Sequence, residues 1–196
     1  SHNTNSISLR SYNIKYRDWQ KYEVNTYSIF EDILGTNPEY FDLVDYTLYT
    51  TSDGYLHSIK IKYALSLTEY NEQLKACEQA ADYLIGDLIN ADIYPFAKAL
   101  LAHDRLVLWN EYDHAIADND NRRSYWSCQT MYGALVLQKS VCEGYTKAYG
   151  YLLDKLGIQN YECITDCGAH IWNIVRLGGE YYHVDTTWDD VDGANG

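Results

Sequence analysis

The chain has 196 residues, of which 46% are hydrophobic and 22% are charged, and its formal net charge at pH 7 is -13. This length and composition indicate a globular chain with one sizeable core, or one domain with a small appendage. A surface this negative repels nucleic-acid phosphates and anionic lipids, and no apolar run reaches the roughly 20 residues of a membrane span. We therefore expect neither a nucleic-acid partner nor membrane insertion, and the sequence leaves the oligomeric state open.

Residues 1–67 are predicted to form an N-terminal extension of strands and loops. Within it, apolar side chains alternate with lysines from Ile59 to Tyr63. A period of two residues is typical of a half-buried strand. We therefore predict a strand within 55–67 and otherwise extended, loop-rich chain.

Two helices are predicted after this extension. Apolar residues recur at helical spacing through 68–90, and Ser66 with Glu69 has the spacing of a capping box at the start of that helix. A second helix is predicted to open near Pro95, because proline is tolerated in the first turn of a helix. A short third helix is predicted over about 128–137.

From residue 140 onward the pattern changes to one further helix and then strands. The helix is predicted over 141–156, and Gly157 is the residue expected to end it. Three strands are predicted to follow, over 160–165, 169–177 and 180–186. Helices followed by consecutive strands indicate an α+β domain with an antiparallel sheet.

Cys142 is the first candidate for chemistry. Ser140 and Glu143 have capping-box spacing, which predicts Ser140 as the N-cap and Cys142 as the second helical residue. A thiol there lies among unpaired N–H groups at the positive end of the helix dipole, which favours the reactive thiolate and provides a donor for an oxyanion. The small residues Gly144 and Ala148 are predicted to let a strand approach this helix. The alternative is that Cys142 is a small buried apolar residue, as most buried cysteines are.

Gly178 and Gly179 lie between two alternating runs and predict a two-residue hairpin turn. Such a turn pairs Leu177 with Glu180. Continued along both strands, this register opposes residue 172 to residue 185, and residue 170 to residue 187.

That register brings His170, Trp172 and Asp185 to one face, because opposed residues share a face and so do residues two apart. Asp185 lies diagonal to His170, within reach of a hydrogen bond that fixes the imidazole tautomer and stabilises the imidazolium. Asn173 is the rival for this role, but strand alternation points it to the opposite face. We therefore predict Cys142 as nucleophile, His170 as base and Asp185 as the orienting group.

The expected reaction is attack of Cys142 on an amide carbonyl, loss of the amine and formation of a thioester, which water or a second amine then releases. Gln129 and Tyr132 precede the nucleophile and are candidates to donate a hydrogen bond to the oxyanion. Trp172 is a candidate residue of the substrate cleft. We expect neither a metal nor another cofactor.

Three segments around these residues resemble the bacterial transglutaminase-like superfamily. They are Val141-Cys142-Glu143-Gly144-Tyr145, Gly168-Ala169-His170-Ile171-Trp172-Asn173 and Tyr182-His183-Val184-Asp185-Thr186-Thr187-Trp188-Asp189-Asp190. Residues 98–113 and 131–135 are similar to further segments of that family, so the likeness covers about residues 68–192. Carried over residue by residue, the resemblance implies the same three catalytic residues.

The resemblance implies a papain-like fold, in which N-terminal helices pack on an antiparallel β-sheet, with a transglutaminase-like catalytic domain over 68–196. It implies an acyltransferase or hydrolase that acts on protein or peptide amides, and it leaves open whether water or an amine is the acceptor. It also implies a bacterial protein that is secreted or lies at the cell surface, with a cytoplasmic location as the alternative. The chain departs from the family at Ile171 and Thr186, where alanine and proline are usual, and we expect the domain to be truncated at its C-terminus.

Other features of the sequence leave alternatives open. A catalytically silent cell-surface binding or scaffolding module of the same fold is the main alternative to an enzyme. Cys163, Cys167 and His170 are candidates for a zinc site, although their spacing fits no compact paired motif, and a disulfide between the two cysteines is equally open. His103 has helical spacing to apolar positions and is predicted to be structural. The acidic run 189–193 lacks the distal glutamate of a calcium loop.

Overall fold

The computed structural model describes residues 5–21, 37–117, 122–165 and 168–190. The described residues form two compact units. One unit comprises 5–21 with 42–71, and the other comprises 37–41 with the described residues from 72 onward. The predicted division of the chain into 1–67 and 68–196 stays a prediction.

The first unit contains a three-stranded antiparallel sheet in the order β1-β3-β2. Its strands are β1 (Ser6–Ser8), β2 (Leu43–Thr50) and β3 (Leu56–Tyr63). Ile61 of β3 is buried between the exposed Lys60 and Lys62, which confirms the strand predicted from the alternation. The expectation of extended chain is wrong for α1 (Tyr16–Lys21), because its six residues are too few to display a helical period. Short 3₁₀ helices span Arg10–Tyr12 in this unit and Pro38–Tyr40 in the second.

The two long helices predicted after the extension are confirmed as α2 (Leu67–Ile89) and α3 (Pro95–Val107), with Pro95 in the first turn of α3. Ser66 and Glu69 form the predicted capping box: the N–H of Ser66 donates to Glu69 Oε2 (2.9 Å), and the N–H of Glu69 donates to Ser66 Oγ (3.3 Å). Strand β4 (Glu111–Tyr112) and the one-turn helix α4 (His114–Ala117) follow. β4 pairs in parallel with β5 (Lys139–Ser140).

The third helix predicted over 128–137 is wrong as a continuous element. A 3₁₀ helix spans Arg122–Gln129, and a π-helical turn spans Gly133–Leu137. Thr130 lies between them; its hydroxyl donates to Ser127 O (2.6 Å) and accepts from the N–H of Gly133 (3.3 Å). A side chain that bonds to nearby backbone groups competes with the regular helical pattern, and this interrupts the helix.

Helix α5 (Cys142–Lys155) occupies the centre of the second unit, next to an antiparallel sheet in the order β6-β7-β8. The strands are β6 (Asn160–Ile164), β7 (Ile171–Leu177) and β8 (Glu180–Val184). Gly178 and Gly179 have positive φ in the turn, and Leu177 pairs with Glu180 as predicted. Tyr149 Oη of α5 donates to a carbonyl of α3 (3.0 Å), so α5 contacts both a helix and the sheet.

Helices and antiparallel strands in one chain confirm the predicted α+β class. The buried core residues of α5 include Tyr145, Leu152 and Leu153, and Val175 of β7 is equally buried. None of the helices in the described part of the chain is both long and apolar enough to cross a membrane.

Candidate active site

Cys142 is the first residue of α5, and Val141 precedes it as an N-cap without a side-chain capping bond. The prediction that Ser140 caps this helix is therefore wrong. Ser140 is buried in β5, where its Oγ accepts from Asn110 Nδ2 (2.7 Å) and its carbonyl accepts from the N–H of Asp113 (2.9 Å). The hydroxyl of Ser140, which a capping box would bond to the helix, is thus bonded to Asn110, a residue distant in the sequence. Cys142 still lies at the positive end of the helix dipole.

Two glycines in α5 allow neighbouring segments to pack closely against the helix, on two of its sides. A Cβ at Gly144 would lie 2.6 Å from Cys128 O and 2.6 Å from Ser140 Cβ. Gly144 therefore faces Cys128 and Ser140, and because Ser140 belongs to β5, a strand does approach the helix closely at this residue, as predicted. The residue that faces the sheet is Gly150, where a Cβ would lie 3.0 Å from Asn160 Oδ1.

The first turn of α5 is bonded to the start of β7. Thr146 Oγ1 lies within hydrogen-bond distance of Ile171 O (3.0 Å) and of Cys142 O (2.8 Å). Burial raises the pKa of the Cys142 thiol; a backbone contact at Ile171 opposes this effect, and the Glu143 carboxylate adds to it. This direction opposes the effect of the helix dipole, which was predicted to favour the thiolate, and a thiol with a raised pKa needs a base to react.

His170 and Asp185 form the hydrogen bond that the hairpin register predicted, between Nε2 and Oδ2 at 2.6 Å. The other carboxylate oxygen accepts from the N–H groups of Thr187 (3.1 Å) and Trp188 (3.2 Å). An ionised carboxylate only accepts, so Nε2 carries the hydrogen of this bond, and in the neutral imidazole Nδ1 then has the lone pair that can remove a proton. Asn173 faces α5, where its Nδ2 donates to a helix carbonyl (3.1 Å), so it lies on the opposite face as predicted.

Two indole rings stack on the imidazole of His170. The ring of Trp172 lies at 5.7 Å with an interplanar angle of 21°, and that of Trp188 lies at 4.9 Å with an angle of 15°. Trp172 Nε1 also donates to His183 Nδ1 (2.8 Å). Trp188 is absent from the predicted site, although it follows Asp185 by three residues, close enough for the turn after β8 to place it on the histidine.

Gln129 and Tyr132, the predicted oxyanion donors, lie in the segment that precedes α5. Gln129 adjoins Cys128, whose carbonyl accepts from the N–H of Val141 at the start of that helix (3.1 Å). The ring of Tyr132 stacks on Phe41 at 6.1 Å. No hydrogen bond among the described residues joins either side chain to the thiol, and the oxyanion role stays a prediction.

The remaining candidates from the sequence are His103, Cys163, Cys167 and the acidic run 189–193. His103 bonds to Asp104 and to Asp189 and so has a structural position. Cys163 is a half-buried free thiol, whereas Cys167 lies outside the described residues, so the zinc site and the disulfide stay open alternatives. Of the acidic run 189–193, which lacks the distal glutamate of a calcium loop, the structure describes only Asp189 and Asp190.

No family model and no curated protein matches the chain. A solved structure of a transglutaminase (TGase) is similar to it, with a TM-score of 0.50 and 11% identity over 74% of this chain and 44% of that chain. A candidate cysteine protease from Cytophaga hutchinsonii is matched with a TM-score of 0.41 and 12% identity, over 74% of this chain and 62% of the other. The chain thus spans less than half of the transglutaminase and under two thirds of the second protein. The first likeness confirms that this chain has a transglutaminase-like fold.

Proposed function

We propose that the chain is an enzyme that transfers or hydrolyses the acyl group of protein or peptide amides through a thioester on Cys142. The observation that carries this proposal is the 2.6 Å hydrogen bond between His170 Nε2 and Asp185 Oδ2. His170 directly precedes β7, and Thr146 near the start of α5 bonds to the first residue of that strand. Cys142 begins that helix. A thiol, an imidazole and an orienting carboxylate are the groups that nucleophilic acyl transfer requires.

In the first step, the Cys142 sulfur attacks the amide carbonyl carbon while His170 Nδ1 removes the thiol proton. The carbon–sulfur bond forms as the carbonyl π electrons move to oxygen. Because burial raises the pKa of the thiol, transfer of its proton to His170 accompanies the attack. The N–H of Cys142 at the helix N-terminus is a donor for the resulting oxyanion. Asp185 stabilises the imidazolium that forms.

In the second step, the imidazolium returns its proton to the leaving amine, the carbon–nitrogen bond breaks and a thioester forms on Cys142. Water or a second amine then attacks the thioester, and His170 removes one proton from that nucleophile. The carbonyl then re-forms, the carbon–sulfur bond breaks, and the imidazolium returns that proton to the sulfur, which releases the acid or the new amide and restores the thiol. Both acceptors share the same intermediate, so the proposal covers hydrolysis and transamidation.

Dimethylated casein with a biotinylated primary amine tests the proposal, with incorporation of biotin and release of ammonia measured in parallel. We expect turnover in the wild type and none in Cys142→Ala or His170→Ala. Cys163→Ala is the matched control, because Cys163 is also a half-buried free thiol and lies outside the proposed triad. Undiminished turnover in Cys142→Ala would contradict the proposal.

The reactivity of the thiol tests the site independently of the substrate. We expect iodoacetamide to modify Cys142 of the folded protein at neutral pH, and the rate to fall in His170→Ala, since the base then no longer assists loss of the proton. Mass spectrometry assigns the modified residue. If Cys142 does not react in the folded wild type, the site is shielded or inactive, and the silent binding module of the same fold becomes the favoured function.

A further inference from the structure

His103 of α3 lies between two carboxylates, one on each of its ring nitrogens. Nδ1 is 2.9 Å from Asp104 Oδ1, and Nε2 is 3.1 Å from Asp189 Oδ2. The histidine side chain is only 13% exposed. The first partner is its neighbour in α3, whereas the second lies in the turn that follows β8.

The number of N–H groups on the His103 ring determines which protonation state of the ring can make both hydrogen bonds. Ionised carboxylates only accept hydrogen bonds, and a neutral imidazole has a single N–H. Both bonds of His103 therefore require the imidazolium. The ring of Tyr149 in α5 lies nearly perpendicular to the ring of His103, with centroids 6.0 Å apart, but its hydroxyl donates to Ala99 O and does not compete for the histidine.

Asp189 belongs to the same turn as two residues of the candidate site. Its N–H donates to Asp185 O (3.1 Å), and the N–H of Trp188 donates to Asp185 Oδ1 (3.2 Å). The next residue, Asp190, accepts from the hydroxyl of Tyr145 in α5. The turn that holds Asp185 and Trp188 against His170 is thus bonded to α5 through Asp190 and to α3 through His103.

We propose that His103 is a positioning residue, whose charged form holds the turn that carries Asp185 and Trp188 against the catalytic histidine. Its effect on catalysis rests on the proposed acyl transfer, whereas its effect on the turn does not. A neutral imidazole can donate only one of the two bonds. The carboxylates of Asp104 and Asp189 are 57% and 60% exposed, so water can replace either bond. When the bond to Asp189 is the one replaced, the turn is less firmly held.

The two hydrogen bonds of His103, to residue 104 and to Asp189, are called the clamp below. The substitution Asp104→Asn tests whether the clamp depends on the positive charge of the imidazolium. The amide nitrogen of the new residue can donate to Nδ1 of neutral His103, and Nε2–H then donates to Asp189. The clamp in this variant needs no imidazolium and should be independent of pH. His103→Ala removes the clamp at every pH. The thermal unfolding midpoint of both variants checks that the fold is retained.

Nuclear magnetic resonance on the full chain supplies a readout independent of activity. We expect ring ¹⁵N shifts of His103 to report two protonated nitrogens at about pH 6. We expect the Trp188 amide to exchange roughly tenfold faster in His103→Ala, after correction for the intrinsic rate. A similar rise with pH should occur in the wild type and be absent from Asp104→Asn. A single protonated nitrogen at about pH 6, or unchanged exchange in His103→Ala, overturns the proposal.

Acyl transfer then tests the catalytic consequence. We expect a loss of roughly tenfold in kcat for His103→Ala with little change in KM, and an alkaline decline in the wild type that Asp104→Asn lacks. Unchanged kcat in His103→Ala overturns the positioning role. If the wild type transfers no acyl group while the exchange of Trp188 responds as expected, the proposed function fails and the clamp stands.

Discussion

At the scale of single residues, Asp185 makes the contacts on which the candidate site depends. One carboxylate oxygen accepts from His170 and the other accepts from two N–H groups of its own turn. The residue therefore both fixes the imidazole tautomer and shapes the turn that carries Trp188. The sequence predicted the first role from strand register, because the two residues lie two positions apart across one hairpin.

Asp185→Asn is expected to lower kcat by about 10,000-fold while leaving the fold intact. The amide oxygen can still accept from the turn, but the amide nitrogen then faces His170 Nε2 and donates to it. The imidazole hydrogen moves to Nδ1, and the base can no longer accept the thiol proton. Steady-state acyl transfer and the thermal unfolding midpoint are the measurements. A loss of less than tenfold would show that Asp185 does not set the tautomer.

At the scale of elements, α5 carries the candidate nucleophile and joins the segments around it. Its N-terminus packs tightly on the preceding segment at Gly144, and its first turn bonds to β7 through Thr146. The sequence located the helix but assigned its cap incorrectly, since Val141 and not Ser140 is the N-cap. The contacts of Gly144 and Thr146 involve other parts of the chain, and the spacing of residues within the helix does not predict them.

Gly144→Ala is expected to lower the free energy of unfolding by about 1–3 kcal/mol, because the new Cβ would overlap the Cys128 carbonyl. Gly86→Ala in α2 is the matched control. A Cβ there meets no atom within 4 Å, so replacing a helical glycine should stabilise the protein by about 0.5–1 kcal/mol. Urea unfolding of both variants measures the difference. Equal effects at the two positions would contradict the close packing at Gly144.

Thr146→Val is expected to cost about 1–3 kcal/mol and to slow acyl transfer, because the hydroxyl bonded to Ile171 O is lost from a buried position. Thr187→Val is the control of equal shape. Thr187 Oγ1 is buried and has no hydrogen-bond partner among the described residues, so its loss should be neutral or stabilising. Urea unfolding and kcat for both variants check this expectation, and equal losses of stability would refute it.

At the scale of the whole molecule, buried thiols make stability depend on pH. Burial raises the pKa of Cys77 to about 12, and burial together with the nearby Asp113 raises that of Cys128 to about 11. Burial raises the pKa of Tyr151 to about 12 as well. In the unfolded chain a thiol ionises at about pH 8.5 and a tyrosine at about pH 10. Stability from each group is therefore complete below its unfolded pKa and is lost as the pH rises towards its folded pKa.

The free energy of unfolding is expected to fall between about pH 8.5 and pH 11, with Cys77 contributing up to about 1.4 kcal/mol for each unit of pH. Urea unfolding with a reductant at several pH values measures the slope. Cys77→Ala should reduce the slope, whereas Ala102→Gly, at another fully buried helical position, should lower stability at every pH and leave the slope unchanged. An unaltered slope in Cys77→Ala would contradict the assignment.

The sequence by itself determined the features that depend on neighbouring residues. Helical spacing predicted α2 and α5, the two glycines predicted the hairpin, and the register of that hairpin predicted the contact between His170 and Asp185. The α+β class followed from the order of these elements. Each of these inferences needs only the period of a helix or strand and the geometry of one turn.

Only the tertiary structure decided the features that depend on distant residues. Ser140 bonds to Asn110 instead of capping α5, burial raises the pKa of Cys142 against the helix dipole, and His103 reaches Asp189, 86 positions along the chain. Local sequence fixes which groups a segment offers. Desolvation and hydrogen bonds between distant segments depend on how the chain packs, and they decide which of those groups are charged, capped or held in place.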